Sequence, residues 1–307
     1  MDSVITLQQV TKHYGHTTIL DQLELAIPKG SIFGFVGKNG AGKTTTMRLI
    51  LGLEAADKGT IDVLDHAISF GYTYALGEIG YVPDVPTFYS YLTATEYLTL
   101  CGQISGMKTR QLKEQIPQLL ATVGLDSDRK KIKGYSRGMK QRLAIAQGLL
   151  GDPKILICDE PTSALDPKGR EEILMLLASL SPHTTVIFST HILEDVERIC
   201  DQVAMLDRGK IVCHGNLQQL KQAHQQKRVE VLIPTTQIKQ WELALQTLDS
   251  QNIKSVQNEQ VVSLSYQTTS EQFLSWFLAF VQQHQLYFES YQLCRSSLEQ
   301  LFLEVTA

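Results

Sequence analysis

The sequence predicts an α/β fold with a mainly parallel sheet, joined to a smaller α+β unit. Three observations carry this. Between residues 155 and 213, short apolar runs that read as strands alternate with helical segments; that alternation packs into a mainly parallel sheet with helices on its faces. The run Ser31-Ile32-Phe33-Gly34-Phe35-Val36 is short and apolar, as a strand buried on both faces is, and a glycine-rich loop and a helix follow it. Near Gly215 the composition shifts toward Gln and Lys, and a second set of strands and helices begins.

Element by element, residues 4–10 and 23–27 alternate as strands do, and Pro28-Lys29-Gly30 reads as a turn. After the glycine-rich loop, residues 44–51 read as a helix closed by Gly52. Short strands recur at 60–63 and 78–82. From about residue 93 to 150 the pattern becomes helices and loops, a helical insert placed at about 86–150. Strands at 155–158, 185–188, 202–206 and 210–213 then alternate with helices at 167–180 and 193–200. These assignments give a first domain of residues 1–216 and a second of 217–307. In the second, residues 217–228 form a polar helix or linker. Strand 229–233, helix 237–248, strands 253–256 and 261–266, helix 271–283 and strand 286–293 follow, a ferredoxin-like βαββαβ order, with a last helix at 297–305. Phe273, Trp276, Phe277 and Phe280 share one helix face. That face reads as core of the small domain, with a dimer surface as the alternative. Lys130-Lys131-Ile132-Lys133 reads as a solvated loop.

Composition narrows the function. The chain has 307 residues, enough for about two domains. With 43% hydrophobic and 20% charged residues it is an ordinary globular chain. A net charge of −4 argues against affinity built on counterion release, so no nucleic-acid partner is expected. Cys101, Cys158, Cys200, Cys213 and Cys294 are scattered and form no CxxC pair, which argues against a disulfide framework or a structural zinc site and fits a reducing cytosol. The start, Met1-Asp2-Ser3-Val4, has no basic segment followed by an apolar one, so no signal peptide is expected. No apolar run approaches the roughly 20 residues of a membrane-spanning helix. Work at a membrane would need another chain to supply the span.

Two motifs carry chemistry. Gly37-Lys38-Asn39-Gly40-Ala41-Gly42-Lys43-Thr44 matches G-x-x-x-x-G-K-[ST]. Its glycines let backbone amides curl around phosphate oxygens. Thr44 and Thr45 open a helix whose N-terminus favours anions. Lys43 is placed to reach the outer phosphates of a nucleotide, and the Thr44 hydroxyl to ligate Mg²⁺. The second motif, Ile155-Leu156-Ile157-Cys158-Asp159-Glu160, is an apolar strand ending in two acids. Asp159 would stand at the carboxyl end of a parallel strand and hold Mg²⁺, and Glu160 would accept a proton from the attacking water. Alone, such a pair could equally cap the next helix; the glycine loop upstream favours chemistry.

Glu160 continues as Pro161-Thr162-Ser163-Ala164-Leu165-Asp166. Tyr135-Ser136-Arg137-Gly138-Met139-Lys140-Gln141-Arg142 stands upstream and Ser189-Thr190-His191 downstream. In this order and spacing the motifs resemble the ATP-binding subunits of ABC transporters, over roughly residues 4–215. The tail, residues 297–306, also resembles the end of single-cassette subunits that serve separate exporter permeases. The resemblance implies an ATPase with a P-loop NTPase core, ATP and Mg²⁺ as ligands, and a head-to-tail dimer of two copies. It implies that Tyr14 stacks on adenine, that Ser136 and Gly138 meet the γ-phosphate held by the other copy, that His191 contacts the γ-phosphate, and that Asp166 lies in a loop crossing the dimer interface. Ser136 is also a good helix N-cap, and both readings can hold at once. A separate transmembrane permease, docking on the helical insert and residues 84–98, places the chain at the cytoplasmic face of the cell membrane, with export as the implied direction.

Two positions depart from the family's pattern. The signature segment commonly reads Leu-Ser-Gly-Gly-Gln; here Tyr135, Arg137 and Met139 replace three of those residues while Ser136 and Gly138 remain. After Gly80-Tyr81-Val82-Pro83 the family usually has glutamine, and this chain has Asp84, shorter and negatively charged, still able to touch Mg²⁺ through water. The alternative is a soluble ATPase of the same family acting on ribosomes or DNA. Such proteins join two cassettes or carry long coiled coils, whereas this chain has one glycine loop and no sustained heptads.

Overall fold

The computed structural model describes residues 2–71, 77–125, 130–163, 165–181, 183–223, 227–248, 253–294 and 298–306. It divides into two compact units, one built on Met1–Leu217 and the other on Gln218–Glu304.

The first unit holds two sheets. In the first, β1 (Ser3–Tyr14) and β2 (Thr17–Pro28) form a hairpin joined by Gly15 and His16, with Tyr14 paired to Thr17. β4 (Lys58–Val63) and β5 (His66–Ala67) complete the antiparallel order β2-β1-β4-β5. Ile5, Leu7, Leu23 and Leu25 point into the core. The alternation predicts strands 4–10, 23–27 and 60–63 here, each shorter than the observed strand, and no separate sheet. Gln9 and Gln22 adopt positive φ and the β1–β2 register shifts between Leu7 and Val10, so strict alternation fails although pairing continues.

The second sheet is the one the alternation predicts. β3 (Ile32–Gly37), β6 (Ile79–Val82), β7 (Ile155–Asp159), β8 (Thr185–Thr190) and β9 (Gln202–Asp207) pair in parallel, and β10 (Lys210–Asn216) closes one edge antiparallel. The order is β10-β9-β3-β8-β7-β6. Ile155, Leu156, Ile157 and Cys158 have no exposed surface, which accounts for the unbroken apolar run of β7. Val36 pairs with Thr190, and Asp159 with Ser189, so the carboxyl ends of β3, β8 and β7 meet at one edge. Burial pushes the Cys158 thiol well up, so it is inert there.

Helix α1 (Lys43–Ile50) follows β3. Between β6 and β7 stand α2 (Ala94–Ile104), α3 (Thr109–Thr122) and α4 (Arg137–Leu149). A reciprocal Thr93–Glu96 capping box starts α2. The Lys130–Lys133 stretch is not a free solvated loop: Ile132 is buried, its amide bonds to the Leu92 carbonyl, and that of Lys133 bonds to Ser90. An apolar residue inside a basic run is the anchor that charge counting passes over. α4 lies directly on β6, where a Cβ built at Gly80 would fall 1.9 Å from the Gly148 carbonyl oxygen. Two glycines therefore let this helix backbone touch the strand. α5 (Pro167–Leu180) and α6 (Leu193–Ile199) follow β7 and β8. Among the described residues no helix is long and apolar enough to cross a membrane.

Helix α7 (Leu217–Ala223) leads into the second unit, where β11 (Lys227–Leu232), α8 (Ile238–Leu245), β12 (Ile253–Asn258), β13 (Val261–Tyr266), α9 (Ser270–Gln283) and β14 (Ser290–Cys294) follow, and α10 (Leu298–Thr306) ends the chain. The sheet order is β12-β13-β11-β14, antiparallel throughout. Phe273, Phe277 and Phe280 are buried with Trp241, Val229, Val231 and Leu264 in one cluster, so the aromatic face is core rather than a free dimer surface. Trp241 donates its indole N–H to the Tyr287 carbonyl at 3.0 Å. The last strand starts at Ser290, later than residue 286: Leu286 is buried in the connection, its amide bonded to the Val281 carbonyl.

The Gly80–Gly148 contact generates a test. Gly80→Ala must push α4 from β6, an overpacking cost of about 2–3 kcal/mol measured as a fall in the urea midpoint. Gly138→Ala, where an added Cβ meets nothing within 4 Å, is expected to leave that midpoint unchanged or higher.

Candidate functional site

The glycine loop leaves the carboxyl end of β3 and turns into α1. Gly40 and Gly42 take φ of 82° and 112°, backbone that suits glycine alone, and a Cβ at Gly42 would also strike the Leu20 side chain at 2.6 Å. The Ala41 amide bonds back to the Lys38 carbonyl at 3.1 Å, which curls the loop. The amides of Lys43, Thr44 and Thr45 occupy the first turn of α1, where no helical carbonyl can take them. With no acid in that turn, the helix presents donors and the positive end of its dipole. The Lys43 side chain is 6% exposed, and its ammonium donates to the Gly37 carbonyl at 2.7 Å.

Opposite it is the end of β7. Asp159 is 2% exposed and accepts the Ser189 hydroxyl at 2.5 Å. The Ser189 oxygen in turn accepts the Glu160 amide at 3.1 Å. Glu160 itself has φ of 48°, a strained conformation for a residue with a side chain, costing of order 1–3 kcal/mol. Its carboxyl group is turned between two partners: Oε1 lies 3.3 Å from the Lys43 ammonium, and Oε2 lies 3.0 Å from His191 Nδ1. Burial, helped by the nearby Asp159 charge, pushes the Tyr81 hydroxyl up to about 12.

Lys43, Asp159, Glu160 and His191 thus meet from three segments distant in sequence, with Thr44 in the adjoining first turn. The other sequence-derived positions lie elsewhere. Asp84, beyond β6, accepts the Ser163 hydroxyl at 2.7 Å. Tyr14 is exposed at the end of β1; its hydroxyl donates to Glu54, which holds its own hydroxyl proton in place and raises its pKa. Lys38, Asn39, Gly40 and Ala41 line a cavity of about 240 Å³ with Asp207 and Arg208. Ser136 caps α4 by accepting the Met139 amide at 3.2 Å. With Gly138, Asp166 and Arg142 it lines a separate cavity of about 510 Å³. Neither Lys43 nor Glu160 lines the cavity of Ser136, Gly138 and Asp166.

The donor set bears on a metal. No cluster of three or more His, Cys, Asp or Glu side chains suited to an ion exists among the described residues. One buried carboxyl group and one helix-turn hydroxyl, Asp159 and Thr44, are too few for an all-protein cage. They fit Mg²⁺, which usually takes one or two protein ligands together with substrate phosphates.

Comparison with known proteins decides the family. The ABC transporter family model matches residues 20–163. An uncharacterised ABC transporter ATP-binding protein of Bacillus subtilis is 41% identical over 239 residues, covering 78% of this chain and 79% of that one. The chain belongs to the ABC transporter ATP-binding proteins. A relative named Nod factor export ATP-binding protein I, from Sinorhizobium fredii, is 40% identical over 216 residues, 70% of this chain and 63% of that protein. A bacterial ABC transporter cassette solved as a dimer shares 27% identity with a TM-score of 0.62, covering 69% of this chain and 98% of that one. This ABC subunit binds and hydrolyses ATP to power transport.

Sequence reasoning passed over Ser189, Thr162, Glu54 and Asp195. Ser189 lies inside the Ser189-Thr190-His191 motif, and its signal is its place at a strand end two residues before His191. Asp195 and Glu54 carry no local pattern; only packing brings them to their partners.

Lys43→Ala is expected to lower ATP hydrolysis by about 10²–10³-fold in a phosphate-release assay while circular dichroism stays that of the native chain. Asp84→Ala is expected to lower turnover by no more than about 10²-fold and to leave ATP affinity, measured by equilibrium titration, unchanged. The glycine-loop donors that dominate affinity are untouched by it.

Proposed function

We propose that two copies of this ABC subunit sandwich two ATP molecules head to tail and drive export through a separate membrane permease. The observation that carries the reading is the Glu160 carboxyl group held between Lys43 and His191 at the end of β7. ATP phosphates compete for the Lys43 ammonium that Glu160 now holds. When Lys43 turns to the phosphates, Glu160 is released to accept the proton of the attacking water, a role typically worth ~10²–10⁴-fold in rate. His191, fixed at the end of β8, orients that carboxyl group and reaches the γ-phosphate. Thr44 and Asp159 would hold Mg²⁺, which when bound neutralises charge on the β- and γ-phosphates. Tyr14 offers its ring to adenine. Asn39, Gly40, Gly42 and Thr45 add backbone donors to the phosphates.

Ser136 and Gly138 complete the site of the other copy. Their separation from Lys43 within one chain, and the open space around Gly138, support a phosphate approached from outside. The dimeric cassette to which the chain is similar supports the same arrangement. Asp166 lies where the two copies would meet. The permease docks on the helical insert and on the segment from Asp84, whose exposed Tyr89 and Tyr91 suit an apolar partner. That docking makes the chain peripheral at the cytoplasmic face of the membrane. We read residues 1–216 as the ATP-binding domain and 217–307 as an accessory domain of ferredoxin-like topology, which its strand order supports. Export follows from the motif resemblance and from the name of the Nod factor relative.

Glu160→Gln keeps shape and removes the base. It is expected to nearly stop hydrolysis and to give an ATP-dependent dimer by size-exclusion chromatography. Adding Ser136→Arg should abolish that dimer although Lys43 and the whole glycine loop remain. A double variant that dimerises with ATP as well as the single one removes the case for a site completed in trans.

A further inference from the structure

Asp195 is 1% exposed, a buried acid that the hydrolytic scheme does not use. Its two carboxyl oxygens are divided between two segments. Oδ2 accepts the hydroxyl of Thr162, itself 1% exposed, at 2.7 Å. Oδ1 accepts Nε of Arg170 at 2.5 Å, and the Arg170 guanidinium also reaches Glu194 at 3.5 Å. The sequence positions give this group its meaning. Thr162 is the second residue after Glu160, Arg170 the fourth after Asp166, and Asp195 the fourth after His191. The loop that leaves β7, the first part of α5 and the first turn of α6 are therefore fastened together at the buried Asp195 carboxyl group.

Burying an acid is unfavourable unless both oxygens are satisfied, and here a hydroxyl and a guanidinium supply the donors. Such a network is rigid because Asp195 or Thr162 left without its partners would be an unpaired buried group. A rigid tie is what a general base in a strained backbone needs, since Glu160 has positive φ and only the surrounding structure can hold it there.

We propose that Asp195 is a positioning residue that ties the segments bearing Glu160, Asp166 and His191 into one body, holding the base, the γ-phosphate histidine and the interface loop in register. The proposal rests on the reading of Glu160 as the base. It goes beyond that reading in assigning to Thr162, Arg170 and Asp195 the placement of groups they do not touch. Misplacing a reacting group by about 1 Å can lower a rate by about 10². ATP affinity is set by the glycine loop on the other side of the site and should not move.

The test uses the full chain and four variants: Thr162→Val, which keeps size and removes the hydroxyl; Thr162→Ser, which restores it; Asp195→Asn, which keeps shape and removes the charge that Arg170 pairs with; and Glu160→Gln. Turnover is measured at saturating Mg-ATP, and ATP affinity is titrated with each substitution placed in the Glu160→Gln background. The expected result is a fall in kcat of about 10–100-fold for Thr162→Val and Asp195→Asn, unchanged affinity, and recovery in Thr162→Ser. Normal kcat in a folded Thr162→Val overturns the proposal, as does a loss of kcat matched by an equal loss of affinity. Should Thr162→Val not fold, Asp195→Asn decides by the same measurements. Glu160→Gln alone separates the two ideas: if it turns over normally, the reading of the base has failed; if it is inactive while Thr162→Val is normal, only the tie has failed.

Discussion

Parallel pairing of β3, β8 and β7 is the constraint on which the rest of this ABC subunit depends. With Val36 opposite Thr190 and Asp159 opposite Ser189, three strands far apart in sequence end at one edge. Parallel strands need crossover connections, so each carboxyl end is followed by a turn into a helix, and those turns carry the functional groups. The glycine loop, the acid pair and the histidine converge because the sheet aligns their strands. The apolar side chains of β7, all buried, are what fix that alignment.

Charge organises the edge once the strands have built it. A buried lysine ammonium needs acceptors, and Lys43 finds them in its own loop and in Glu160. The same Glu160 is strained at its backbone and shared with His191. One carboxyl group thus faces the Lys43 ammonium and the histidine at the end of β8 together. The Ser163 hydroxyl, three residues after Glu160, donates to Asp84 in the segment that follows the edge strand β6.

Most of the second sheet was legible because strands buried on both faces are uniformly apolar. The helix beginning at Pro167 is visible from the proline at its first turn. The antiparallel sheet was less legible. Its strands are bulged at Gln9 and Gln22, and a bulge breaks the period-two pattern that marks a strand. In the second unit the connection before β14 buries Leu286 without strand pairing, and apolar content alone cannot separate the two. The basic run at Lys130–Lys133 misled for the opposite reason: one buried isoleucine outweighs three charges.

The sequence by itself determined the family, the nucleotide motifs and the residue types available for phosphate and metal. Those depend on short-range spacing: a glycine that must take positive φ, a lysine at the first position of a helix, two acids at the end of an apolar run. Tertiary structure alone decided which of these groups meet. It placed the Glu160 carboxyl group between Lys43 and His191, left Ser136 and Gly138 on a separate wall, and drew Thr162, Arg170 and Asp195 to one buried point. The physical reason is that register and burial are collective. A side chain's partner is set by the strands and helices that carry it, and no local pattern records which distant residue that will be.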